Sequence, residues 1–126
     1  MAQYLKVNGQ EYPAKFISKY QDLNWDKREM QTIYLSMSHD TVAALLPSGT
    51  PWSIVMRETQ DVLDEQGLPT GETKEVVNEL DNSAYSLAGQ ITDYRNGTVS
   101  IKMGKPTEAE TLRAQLAEIE EAYDAN

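Results

Sequence analysis

Between Ser86 and Gly104 apolar residues recur at every second position on either side of Asn96-Gly97, and from Thr107 the spacing changes to three and four. The first pattern predicts a β-hairpin and the second an amphipathic helix. A two-residue turn at Asn96-Gly97 would set Ile91 opposite Lys102, away from Val99 and Ile101. A type I turn over Arg95-Asn96, with Gly97 left-handed in a bulge, instead pairs Tyr94 with Thr98 and Ile91 with Ile101. Only this second register keeps Gly89, Ile91, Val99, Ile101 and Met103 on one face, so burial selects it. Lys105-Pro106 ends the strand, and Thr107 with Glu110 reads as a capping box. Ala109, Leu112, Leu116, Ile119 and Tyr123 then form one stripe on a helix over 107–124.

Upstream, Tyr4 to Phe16 reads as a hairpin turning at Asn8-Gly9. A type I′ loop pairs Leu5 with Tyr12 and Val7 with Gln10, and it collects Leu5, Val7, Tyr12, Ala14 and Phe16 on one face. Pro13 cannot donate to a ladder, which predicts an open edge at that point. Lys19 to Glu29 is polar and irregular, with Leu23 and Trp25 as expected anchors. Met30 to Met37 alternates, with Ile33, Leu35 and Met37 on one face and Thr32, Tyr34 and Ser36 on the other. Ser38 or Asp40 caps a short helix over 39–46, which Pro47 and Gly49 stop. Trp52 to Arg57 is a strand whose inward face is either Trp52, Ile54 and Met56 or Ser53 and Val55. The stretch 58–81 is either the two arms of a long acidic hairpin turning at Gly67-Leu-Pro-Thr-Gly71, the reading adopted, or a disordered loop.

Length adds that 126 residues make one domain with room for a core without staples. The expected division is a β-rich body over 1–106 and a C-terminal amphipathic helix over 107–126, belonging to the same unit. The expected fold class is α+β: a mostly antiparallel small β-barrel or sandwich of six or seven strands, with one short internal helix and the terminal helix. Two Trp, seven Tyr and one Phe exclude a wholly disordered chain, and the lack of cysteine excludes thiol catalysis and disulfides. The N-terminal residues carry no apolar secretion signal, and no apolar run approaches the ~20 residues of a membrane span.

The net charge of −9 is unevenly spread. Residues 58–81 carry eight acidic and one basic residue, and the last twenty carry six carboxylates against Arg113. Such a balance argues against phosphate contacts with nucleic acid, which need clustered Lys and Arg. Acidic segments of this kind serve solubility more often than recognition.

No candidate chemistry survives a test of spacing. His39, the lone histidine, has no triad or metal partners beside it in Ser38 and Asp40. Asp61-Val-Leu-Asp-Glu-Gln-Gly67 lacks the alternation of a calcium loop. Gly104-Lys105 lacks the Ser or Thr and the glycine spacing of a phosphate loop. Asn96-Gly97-Thr98 fits a glycosylation acceptor but reads as a turn without a secretion signal. Catalytic, cofactor and metal residues are accordingly expected to be none, and a carboxylate-dependent hydrolase ranks last because no constellation sets reactive geometry. One feature points to a partner. Leu112, Leu116, Ile119 and Tyr123 lie at coiled-coil spacing over about two heptads, serving either to pack on the chain's own sheet or, the reading adopted, to dock on another protein.

Trp52-Ser-Ile-Val55, the block Leu80 to Thr107, an N-terminal Val-Asn-Gly hairpin and Trp-Asp-Lys-Arg-Glu at 25–29 carry a resemblance. Through them the chain resembles a family of small, uncharacterised proteins encoded in tail-gene regions of prophages from Gram-positive gut bacteria. The resemblance covers most of the chain and is strongest from Asp81 to Thr107. It implies a genomic setting and carries no catalytic residue over. The expected function is thus a non-enzymatic phage tail or baseplate-associated structural or assembly protein. Its expected partners are other tail proteins or itself as a homo-oligomer, with no nucleic acid and no membrane. It would sit in the host cytoplasm during assembly and then in the virion tail. The alternative is an acidic prophage inhibitor that mimics DNA, which needs carboxylates spaced like phosphates on one exposed face.

Overall fold

A computed structural model describes residues 2–124, with side chains for 2–121. The Asn8-Gly9 turn has φ of 54° and 78°, as a type I′ loop requires. It joins β1 (Ala2–Val7) to β2 (Gln10–Asp22) with Leu5 opposite Tyr12 and Val7 opposite Gln10. β2 then outruns its hairpin. Gln10 to Pro13 pair with β1, and Ala14 to Asp22 pair with β3 (Arg28–Leu35). Pro13 stands at the changeover. Alternation along the ladder places its missing N–H on the side away from β1, and β3 pairs only from Ala14 onward.

The segment expected to be irregular from Lys19 to Glu29 is shorter than that, because β2 continues to Asp22 and β3 begins at Arg28. Leu23 is not an anchor, since it stands 74% exposed in the connecting loop. Ser38 caps α1 (His39–Leu45), accepting from Thr41 N, and so is chosen over Asp40. β4 (Ser53–Leu63) turns Ile54 and Met56 to the core together with the preceding Trp52. Val55 on the other face is buried as well.

β4 and β5 (Pro69–Asp81) form a long antiparallel ribbon, Ser53 opposite Asp81 at one end and Leu63 opposite Pro69 at the other. β1 covers β4 only from Ser53 to Arg57, so the ribbon beyond Glu58 projects from the sheet. Its turn comes earlier than Gly67–Gly71. The Asp64 carboxylate accepts from the N–H of Gln66 and of Leu68, and Asp64 N donates to Leu68 O, which closes the loop before Pro69.

β6 (Leu87–Asp93) and β7 (Val99–Gly104) pair Ile91 with Ile101, as burial selects. A register shift between Ala88 and Ile91, however, sets Ala88, not Gly89, opposite Met103 and leaves Gly89 against Trp25. Tyr94 N donates to Thr98 O across the turn, and Gly97 has φ of 90°. The turn is not type I, because Arg95 is also left-handed at φ of 58°. Two side chains support that shape: Asp93 accepts from Arg95 N and Asn96 accepts from Thr98 N. Gly97→Val should cost about 1–2 kcal/mol from its forced left-handed backbone; an unchanged urea midpoint would remove this account of the turn.

The strands form one antiparallel sheet in the order β5-β4-β1-β2-β3-β7-β6. Its end strands β5 and β6 do not pair, so the sheet is not closed and the body is sandwich-like; a closed barrel is not formed. One core joins Leu5, Ile33, Leu35, Trp52, Ile101 and Met103 with Val42 and Leu46 at α1. No helix among the described residues is long and apolar enough to cross a membrane.

Candidate functional site

α2 (Glu108–Asp124) follows β7 after Lys105-Pro106, and its first turn is built as the capping box requires. Glu110 N donates to Thr107 Oγ1 at 3.2 Å, and Thr107 N donates to Glu110 Oε1 at 2.8 Å. The same carboxylate does a second job. Arg28, with a side chain only 3% exposed, donates Nη1 to Glu110 Oε1 at 2.7 Å and Nη2 to Oε2 at 3.2 Å. Arg28 Nη1 also reaches Lys105 O at 3.0 Å, so one guanidinium ties β3, the end of β7 and the start of α2 together.

The segment Trp25 to Glu29 supplies the rest of this mount. The Arg28 guanidinium lies 4.7 Å from the centre of the Trp25 ring. That ring rests on bare backbone: a Cβ at Gly89 would stand 2.6 Å from Trp25 Cη2, and one at Gly104 would stand 2.8 Å from Trp25 Cζ3. Glu29 pairs with Lys105 Nζ at 2.9 Å and accepts from the Tyr85 hydroxyl at 3.1 Å. Asp22, 1% exposed, accepts from Asn24 N at 3.0 Å and from Lys102 Nζ at 3.2 Å. The Asn24 N–H and the Lys102 ammonium hold its carboxyl below the usual carboxylate range.

Beyond its first turn α2 touches little. Every residue from Thr111 to Glu121 is exposed, with Leu112 at 56%, Leu116 at 55% and Ile119 at 65%. Tyr123 lies in the helix, but its side chain falls outside the described residues. At about 100° per residue, Glu110 sits roughly 160° around the helix from Leu112. The anchored edge and the apolar stripe are therefore nearly opposite. The alternative that the stripe packs on the chain's own sheet does not hold for Leu112, Leu116 and Ile119.

The Arg28 guanidinium, followed by the N–H of Thr107, pulls the Glu110 pKa down to about 2. Because the folded pKa lies below that of a free Glu, near 4.3, the anchor is complete above that value. It is lost as pH falls through about 2. Carboxyl NMR should find the Glu110 midpoint near 2; a midpoint in the ordinary glutamate range would mean that Arg28 does not hold it.

Arg28 escaped the sequence reading, although an arginine inside the outer-facing run of an apolar strand is a signal of buried pairing. The remaining candidates stay apart. His39 is half exposed and meets only Asp40, at 3.4 Å. No group of three or more metal-binding side chains occurs among the described residues. An open cleft of about 460 Å³ lies beside the Pro13 changeover, lined by Gln3, Lys15, Tyr34 and Thr98, with no cluster of reactive groups in it. Of the ribbon's strand carboxylates, Asp61, Glu75, Glu79 and Asp81 point to one side and Glu58 and Glu72 to the other. Compared with family models, curated proteins and solved structures, the chain matches none.

Proposed function

We propose that this chain is a non-enzymatic structural or assembly protein of a phage tail or baseplate, working through protein contacts made by the outer face of α2. The observation that carries the reading is the mount itself. A buried arginine fastens the back of α2, while Leu112, Leu116 and Ile119 on its front stay more than half exposed. Such a stripe on an otherwise acidic helix is costly to leave in water and gains by being covered. The resemblance to prophage tail-region proteins supplies the setting: the host cytoplasm during assembly, then the virion tail. A small sandwich-like body with open edge strands suits a repeated building block.

The rival reading, a DNA mimic, draws less support. Four carboxylates of its acidic ribbon share one face, Asp61, Glu75, Glu79 and Asp81, but Glu79 is paired with Lys6 at 3.1 Å. Glu75 is moreover engaged by Arg57, which also holds Glu11.

A chain ending at Lys105 would test the stripe poorly, because it would strand Arg28 without Glu110. The full-length double variant Leu116→Glu, Ile119→Glu keeps the anchor. Wild type should co-purify with tail particles from the producing strain, and the variant should be depleted from them about tenfold or more, as loss of two anchor side chains implies. Particles that hold neither protein, or both equally, would overturn the reading.

A further inference from the structure

We propose that two copies of this chain pair through α2 in antiparallel fashion, with Leu116 against Ile119 of the second copy and Arg113 against Glu120. The proposal rests on the reading of α2 as a contact face and names what that face meets. The charges around the helix carry it. Arg113 is the one basic residue after Lys105, set against six carboxylates in the last twenty residues. At about 100° per residue, Glu110 and Glu121 lie on the anchored back and Glu118 well round to one side. Of the charged residues with described side chains, only Arg113 and Glu120 flank one edge of the stripe. Gln115 flanks the other, with Glu108 near its start.

An antiparallel copy turns this layout into self-complementarity. Each Arg113 meets Glu120 of the other chain, twice per pair, and the Gln115 edges meet without charge. The same direction separates the acidic ends. Glu120 and Glu121 sit where their own helix dipole is unfavourable, and an antiparallel neighbour brings its positive N-terminal turn beside them. A parallel pair would instead crowd both sets of carboxylates at one end. It would also bring two bodies together at one end, whereas 17 residues of α2 hold them roughly 25 Å apart when antiparallel.

Sedimentation of the full chain tests this with paired charge changes. Wild type should show a monomer–dimer equilibrium. Arg113→Glu and Glu120→Arg should each weaken it at least about tenfold by setting like charges across the seam. An equimolar mixture of the two variants should restore the dimer, because each altered charge then faces its opposite. A wild-type monomer at every concentration up to about 1 mM, a dimer indifferent to both changes, or a mixture that stays monomeric would overturn self-pairing. Loss with Arg113→Glu alone would mean a parallel pair using Glu108, and it would overturn the antiparallel geometry. A monomeric wild type that still enters tail particles, but does not with Leu116→Glu, Ile119→Glu, would sink the pairing and leave the tail-contact reading standing.

Discussion

Trp52→Ala should lower stability by about 3–5 kcal/mol, enough to leave much of this domain unfolded at 37 °C. Trp52 is 2% exposed just before β4 and belongs to the one core that joins both halves of the sheet. Its ring stacks on Phe16 with centroids 6.1 Å apart and an interplanar angle of 10°, and it lies tilted against Tyr85 at 6.3 Å. Truncation removes a large apolar side chain where the strands cannot close up, because their spacing is set by backbone ladders. It also strips Tyr85 O of the Trp52 Nε1 donor at 2.9 Å. Trp52→Phe should cost less, since it keeps most of the ring and loses that hydrogen bond. Urea unfolding at neutral pH would measure both, and a loss below about 1 kcal/mol for Trp52→Ala would show that the two halves do not depend on this residue.

Gly104→Val should destabilise by about 3 kcal/mol and loosen α2 as well. A Cβ there would stand 2.6 Å from Arg28 Cδ and 2.8 Å from Trp25 Cζ3, so two side chains must move together. Displacing Arg28 disturbs its grip on Glu110, and displacing Trp25 exposes an indole that now lies on backbone. Tryptophan emission should shift to longer wavelength alongside the lower urea midpoint. In a Trp25→Ala background the same change should cost clearly less, because the space is then available. Strict additivity of the two changes would show that Trp25 and Gly104 are not in the contact described.

The effects of Gly104→Val concentrate on one outer corner of the sheet, where the 22–29 loop, Gly89, Gly104 and the first turn of α2 meet. Here the polar network does what apolar packing does elsewhere in the fold. Arg28, Asp22 and Glu29 each have charged partners across the chain, and Lys105 closes over the Tyr85 ring at 4.9 Å. The network directs α2 without covering it, so the helix is oriented and its stripe is left open.

Much of the local structure was legible in the residues. Asn8-Gly9 specified the first turn and Ser38 could be named as one of two candidate caps. Thr107 with Glu110 specified the start of α2, because those interactions close within four residues and depend on little else. The pairing of Ile91 with Ile101 followed from burial alone, but the shift that turns Gly89 to Trp25 did not, nor did the left-handed Arg95, which rests on where the Asp93 side chain finds a donor. The stripe Leu112, Leu116, Ile119 could also be drawn from spacing. Its exposure could not, because an apolar stripe has the same pattern whether its own sheet or another molecule covers it. The division of β2 between β1 and β3, the inward face of β4, the Trp25 seat and the Arg28–Glu110 bond were decided only in three dimensions. They join positions as far apart as Arg28 and Glu110, and which distant strands become neighbours depends on the order of the whole sheet rather than on alternation within any one of its strands.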